Sequence, residues 1–496
     1  MNHAPNLAEQ THDIQAVLGS GFGWLTSSRF WLLTLLDATL ARDWLRQLHD
    51  SKLVLSVKDV GAQKLEGKEP GQIAAIAFSY AGLQRLGVLE TRDFPFPTAF
   101  KSGMGSALRA QLLRDAPRDG WQWSDRESTA DAPNGRDTVH ILVGLWWQGP
   151  AAPALPPFPD GAFQARQVQG CPSFFKGKNL YEPFGFRDGI SQPSIYGLKG
   201  ELDPDAPGLS PAQRRAIRDN RVAGGEFVLG YRNEYDELSY CPDAMGWEAA
   251  GLAARPHSRF GLNGSYLAVR QIHQDVEAFA KFAAMPAPGC PAGISVADKM
   301  MGRLRDGTPL EMAGQTNAVA GPGGGTRSLA DLPVNSFRYR VEDDDGFITP
   351  RGSHIRRVNP RDTLGHDTDS GITSSKLHRL LRRGRPYREA DGERPGKQGL
   401  FFIACNTDLE RQFEFVQQRW IMNPRSGPLE NQDDPIIGAA GSKTFTMAGL
   451  PCGQSISFQS FTTTLGGGYF FLPGTSALRF ISVRLAEAAT GRPGPA

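Results

Sequence analysis

The sequence predicts an α+β fold in which a split strand-helix unit, used twice, builds antiparallel sheets covered by helices. Three observations carry that prediction. Apolar runs of strand length lead into segments of helical spacing at four places, two in each half of the chain. Two more strand-like runs have no helix after them, so the order is not the strict alternation of a doubly wound parallel sheet. With 496 residues, 40% of them hydrophobic, the chain also exceeds the roughly 250 to 300 residues at which a single core stops growing. A split β-α-β arrangement repeated once satisfies all three.

The elements follow in order. Phe30 to Leu36 is a compact apolar run suited to a buried strand; beyond it Leu40, Trp44 and Leu48 recur at helical spacing, and Asp37 stands where a helix cap belongs. The unit returns at Ile73 to Leu86 (IAAIAFSYAGLQRL), at Ser265 to Phe282 (SYLAVRQIHQDVEAFAKF) and at Gly399 to Trp420 (GLFFIACNTDLERQFEFVQQRW). In the last of these, Thr407 and Glu410 form a capping-box pattern, and Leu409, Phe413, Val416 and Trp420 make one apolar stripe. The strand-like runs without a helix are HILVGLWW from His140 and GEFVLGY from Gly225. Between the units lie two apparent insertions. One is KGELDPDAPGLSPAQRRAIRDNR from Lys199; the other is a polar reach holding GPGGGT at 321–326 and VEDDDG at 341–346, whose glycine and like-charge runs resist packing and read as mobile.

Composition narrows the function. Lys and Arg total 54 against 52 Asp and Glu, which leaves no electrostatic case for nucleic acid or a membrane surface and points to small-molecule partners. The five cysteines (171, 241, 290, 405 and 452) contain no CxxC pair, which argues against a structural zinc site or a disulfide framework and fits a reducing compartment. The N-terminal residues lack a basic segment followed by an apolar core, and FWLLTLLDATLARDWL is broken by Asp37, Arg42 and Asp43 well short of the roughly 20 residues a membrane helix needs. The expectation is a soluble, cytoplasmic protein. GSGFG at 19–23 lacks the GxGxxG spacing, GPGGGT has no following Lys, and neither GxSxG nor HExxH occurs, so nucleotide-binding and hydrolase readings have little to rest on.

Three polar segments remain. EPFGFRDGISQP, from Glu182, holds Asp188 on a glycine-bounded turn beside Phe184 and Phe186; RGSHIRRVNPRD, from Arg351, holds His354; HRLLRRGRPYRE, from His378, sets Arg382 and Arg383 before Gly384. Taken alone, Asp188 fits a turn cap beside Arg187 as well as an acid placed for chemistry. His354, on spacing alone, fits a solvated basic loop better than a ligand.

Together the three segments resemble the dye-decolorizing peroxidases, whose hallmark GxxDG turn matches Gly185 to Gly189. The resemblance extends over HIRRVNPRD, RRGRPY, GLFFIACNTDLERQFEFVQQRW, DPIIG at 434–438 and GGGYFFLPGTSALRF from Gly466, in order from about residue 13 to about residue 482, and the length and the two insertions look like those of the longer bacterial members. It implies two ferredoxin-like domains of the dimeric α+β barrel type, here 10–220 and 221–490. It also implies haem b as cofactor, and a peroxidase that uses hydrogen peroxide to oxidise dyes, phenols and Mn(II) through an oxo-ferryl intermediate; a haem-handling protein on the same fold is the alternative. By the same resemblance His354 is the proximal iron ligand, Asp188 the distal acid and Arg382, two residues before Gly384, the distal arginine, with Arg383 as its neighbouring rival. Leu400 and Phe402 match the apolar pair over the distal haem face, and Asp434 the carboxylate that orients the proximal imidazole, with Asp433 adjacent. A surface Tyr or Trp is implied as the electron relay for bulky dyes. Pro183 departs from the pattern, standing where many relatives have a histidine. The C-terminal LAEAATGRPGPA is no apolar docking tail, and the resemblance leaves open whether the chain is a monomer or a homodimer.

Overall fold

The computed structural model describes residues 6–115, 118–126, 137–198, 202–251, 259–284, 293–313, 332–389, 397–439, 441–448 and 454–483. Its centre is an eleven-stranded sheet. Along its main path run Leu381–Arg382, Gln398–Asn406, Ser265–Gln274, Thr462–Leu472, Gln72–Phe78, Ile141–Trp147, Ser27–Leu35 and Phe163–Gln169, each antiparallel to the next. The first four strands on this path come from the C-terminal half and the last four from the N-terminal half, and the two sets meet where Phe471 pairs with Phe78. Each set carries the α+β arrangement the sequence predicts.

Alternation along the strands supplies two cores. Trp31, Leu33 and Leu35 enter one with Trp44, Leu48 and Phe480 from the helices Ala38–Asp50 and Thr475–Ser482, whereas Phe30 and Leu32 enter the other with Val57, Phe401 and Ile403. Side chains at i and i+2 share a face, so a strand with both faces covered reads as a continuous apolar run. The first strand-helix junction is capped as the sequence suggests, Asp37 accepting from the Thr39 and Leu40 amides; at the next, Ser79 accepts that of Gly82.

Two local expectations are corrected. GEFVLGY is buried but not a strand. The amides of Phe227 and Val228 turn back to the Gly224 carbonyl, that of Leu229 reaches the Gly264 carbonyl, and a Cβ on Gly225 would lie 2.2 Å from the Tyr231 carbonyl oxygen. The apolar run is therefore a tight loop packed into the core. After Gln398–Asn406 the cap is not a Thr407–Glu410 box: Asp408 accepts the Arg411 amide, and the Gln412 side chain accepts those of Thr407 and Asp408. The helix that follows is wide, with Glu414 N bonded to Leu409 O and Met422 N to Gln417 O. Its stripe is buried as predicted, split between two clusters, Leu409 and Phe413 in the main core and Val416 and Trp420 beside it.

The first insertion contains a helix, Pro211–Asn220, with a Ser210–Gln213 capping box. In the second, GPGGGT lies outside the described residues, while VEDDDG is packed: buried Asp343 accepts from the Ile348 and Thr349 amides and from Arg356. No described helix is long and apolar enough to cross a membrane. Cys171, Cys241 and Cys405 are free thiols; Cys290 and Cys452 lie outside the described residues.

Candidate active site

A cavity of about 340 Å³ opens between the C-terminal strands, the short helix His354–Val358 and the loop of Asp188. Its walls are largely apolar, with Ile272, Leu380, Leu400, Phe402, Val358 and Ile421 among them. His354, Asp188 and Arg382 reach it from three separate segments.

His354 begins its helix after Ser353, whose hydroxyl donates to the Lys299 carbonyl at 2.5 Å. The imidazole Nδ1 lies 3.0 and 3.2 Å from the two oxygens of Asp434, which engages that nitrogen as donor and leaves Nε2 for the cavity. Asp434 is fully buried behind the ring and also accepts the amides of Ile436 and Ile437, both at 2.9 Å. Burial alone would raise its pKa, but His354, the Arg357 guanidinium 4.0 Å away and the Ile437 amide hold it well below the usual carboxylate range. A second buried cation, Lys443, is pushed down to about 8 by burial, with the charges of Asp434 and Asp433 opposing that fall. Of the two adjacent acids, Asp434 is the one on the imidazole.

Across the cavity, Asp188 sits between Gly185 (φ 91°) and Gly189 (φ 80°), left-handed conformations that glycine adopts without strain. Its amide donates to the Leu180 carbonyl and one carboxylate oxygen accepts the Gly189 amide at 2.6 Å. The guanidinium of Arg382 lies 3.8 Å from that oxygen and is tethered to the same loop through the Ile190 carbonyl at 2.6 Å. Arg383 points the other way. It is buried, donating to the carbonyls of Val17, Leu18 and Arg382, and it does not line the cavity. Leu400 and Phe402 share the cavity face of their strand, while Phe401 between them stacks on Phe30 on the opposite face, with centroids 4.4 Å apart.

Sequence reasoning passed over three cavity residues at one end. Arg303, Arg361 and Arg379 are all buried, and none pairs with a described carboxylate; they donate to carbonyls of Gly307 and Val334, of Asn335 and Phe337, and of Ser191 respectively. Burial and then the neighbouring Arg361 charge push Arg303 down to about 10 and Arg379 to about 9. Such a cluster is expensive to bury unless an anion completes it. Arg361 and Arg379 stand inside the quoted basic segments, so their signal was present; nothing in the sequence marks Arg303. Glu182, in the same stretch as Asp188, was also missed. It lines the cavity, and its carboxyl is pushed up to about 7 by burial, against the hydrogen bonds it accepts.

Comparison with known proteins finds similarity to one family. Residues 252–450 match the family model described as Dyp-type peroxidase, C-terminal. The dye-decolorizing peroxidase AauDyP1 of Auricularia auricula-judae is 29% identical over 321 residues, covering 60% of this chain and 55% of that protein. Peroxidase 2 of Mycetinis scorodonius is 26% identical over 495 residues, covering 91% of this chain and 83% of that one. The chain thus spans little more than half the length of the first of these relatives. Among solved structures, an ancestral D-type dye-decolorizing peroxidase superposes with a TM-score of 0.68 at 24% identity, covering 96% of this chain and 99% of that one. A DyP-type peroxidase of Anabaena sp. gives 0.67 at 20% identity, covering 95% of each chain. Family model, relatives and fold converge on the dye-decolorizing peroxidases, which this chain resembles in its C-terminal half by sequence and over nearly its whole length by fold.

Proposed function

We propose that this protein is a haem peroxidase that uses hydrogen peroxide to oxidise dyes, phenols and similar reductants. The observation that carries the reading is the opposition, across one apolar cavity, of a carboxylate-backed imidazole (His354 and Asp434) and a carboxylate-guanidinium pair (Asp188 and Arg382).

The residues present fit haem b. Apolar walls suit a porphyrin face, His354 Nε2 suits an iron ligand, and Arg303, Arg361 and Arg379 supply buried cations for two propionates. The absence of any CxxC in the sequence favours a haem held without thioether bonds. When bound, haem supplies the iron that takes up peroxide and the conjugated ring that stores its oxidising equivalents. The protein supplies proton traffic and fixed charge. Asp434, held ionised, fixes the His354 tautomer and makes the imidazole a stronger donor. Asp188 accepts the proton from one peroxide oxygen and returns it to the other, and Arg382 stabilises the charge that develops on the departing oxygen. Leu400 and Phe402 keep water from that face. Cytoplasmic location is proposed on the buried free thiols Cys241 and Cys405, which suit a reducing compartment.

A haem-handling protein would need His354 but not the Asp188–Arg382 pair, which is why the peroxidase reading is preferred. The test is an absorption spectrum of the purified protein before and after one equivalent of hydrogen peroxide, with dye turnover measured alongside. A Soret band that shifts within the mixing time and returns on adding a phenol is expected. A band unmoved by peroxide would sink the reading in favour of haem handling, and a colourless protein that takes up no added haem would remove both.

A further inference from the structure

We propose that Glu182 is a positioning residue for the Asp188 turn, and that gain or loss of its proton switches that turn between a held and a loosened form. The proposal rests on the peroxidase reading for its catalytic consequence and on geometry for the switch.

Glu182 satisfies every amide of the turn that follows it. Pro183 has no N–H. The amide of Phe184 donates to Glu182 Oε2 at 3.0 Å, that of Gly185 to the Glu182 carbonyl at 2.8 Å, and that of Phe186 to Oε1 at 2.8 Å. The Glu182 amide returns the bond to the Phe186 carbonyl at 2.9 Å. The chain then leads directly to Arg187 and Asp188. From the Ser265–Gln274 strand, the Gln274 side-chain amide donates to Glu182 Oε2 at 2.6 Å. This set of donors is complete only for an ionised carboxylate, because a protonated oxygen must itself donate and accepts an amide poorly.

Gln274 is ready for the other state. Its Oε1 is buried and has no hydrogen-bond partner among the described residues, while its NH₂ faces Glu182. When Glu182 takes up a proton, a turn of that amide brings Oε1 round to accept the new O–H. The orphaned oxygen gains a partner and the Phe184 or Phe186 amide loses one. The charged groups acting on Glu182 are Asp188, whose charge favours protonation, and Arg305, which donates to the Phe184 carbonyl and lies over the Phe186 ring at 4.0 Å. Burial is the larger influence and brings the change to about pH 7. The carboxyl opens onto the cavity, so a ligand filling the cavity strengthens that influence.

The test is amide hydrogen exchange, read by mass spectrometry on the full-length protein as isolated, for peptides covering Pro183 to Asp188 at pH 6 to 8. After correction for intrinsic rates, protection should fall on the order of tenfold from pH 8 to pH 6 in the parent and stay flat and low in Glu182→Gln. The rate of the first peroxide-consuming step should fall across the same window in the parent alone. A parent flat across this window, or a Glu182→Gln variant with the parent's step, overturns the proposal. Gln274→Leu removes the donor to the ionised form and the acceptor for the protonated one; the charge-assisted bond is the stronger of the two, so the midpoint should move to higher pH, and a midpoint that moves to lower pH overturns the proposal. Should the peroxidase reading be the one that fails, the peroxide step is absent while the exchange step persists.

Discussion

The two sides of the cavity are built from the same residue types and set to opposite electrostatic ends. Behind His354, Asp434 has no solvent, accepts from two backbone amides and the imidazole, and feels the nearby cations of Arg357 and Lys443. It stays ionised although burial opposes it. On the Asp188 side, Glu182 also accepts three hydrogen bonds, yet its donors are neutral, and its carboxyl rises to about 7. Hydrogen bonds alone do not decide a buried acid's charge; a cation within a few ångströms does. One wall is therefore fixed in charge and suited to holding a ligand, and the other carries, in Glu182, a group able to change its protonation near neutral pH.

The comparison breaks most visibly on the fixed wall. His354→Ala removes the imidazole that stands between Asp434 and the cavity, and the variant should lose most bound haem or give a weakly ligated spectrum that added imidazole restores. An unchanged Soret band would remove His354 from the site. On the opposite wall, Arg382→Leu should slow the first peroxide-consuming step by about 2.7 to 4 kcal/mol, roughly 100- to 1,000-fold, the range for deleting one charge-stabilising donor. Arg383→Leu should leave that rate near the parent's, because Arg383 is spent on the carbonyls of Val17 and Leu18. Equal losses in the two variants would show that the effect is structural. Asp188→Asn keeps the shape of the turn and should be slow at every pH, losing any acid-side fall in rate that the parent shows.

Much of this was legible in the sequence, and what was not has physical reasons. Strand-helix units were readable because Phe30 to Leu36 and its counterparts are covered on both faces, so apolar continuity and a cap such as Asp37 mark them. GEFVLGY shows the limit: burial alone produces the same apolar run whether the backbone is extended or folded back on Gly224. The site residues sit on segments far apart, and only the ordered motifs suggested that they meet. Arg382 is preferred to Arg383 on its place two residues before Gly384 in the motif; alternation cannot choose between them, since the strand Leu381–Arg382 is only two residues long. Arg303 and Glu182 were invisible for a different reason. Their importance lies in what burial does to a charge, and burial is a property of the fold.

The smallest effect discriminates the two walls best, because the two acids pull stability in opposite directions with pH. Asp434 has a folded pKa well below its ordinary value of 3.8, so its stabilisation is complete above 3.8 and is lost progressively as pH falls from there through the lower folded value. Glu182 has a folded pKa of about 7 against an ordinary 4.5, so the folded state binds more protons between those values and stability falls as pH rises across them. Denaturant unfolding of the parent, Asp434→Asn and Glu182→Gln at matched haem content should separate the two, since the haem-binding contribution is then shared. Between pH 5 and 8, Glu182→Gln should gain roughly 1 to 3 kcal/mol on the parent, a figure discounted because the carboxyl opens onto the cavity. Asp434→Asn should be less stable than the parent throughout that range and should close the gap only below about pH 4. A Glu182→Gln variant that runs parallel to the parent from pH 5 to 8 would mean that the acid is already ionised at pH 5. The contrast between the walls would then reduce to Asp434 alone.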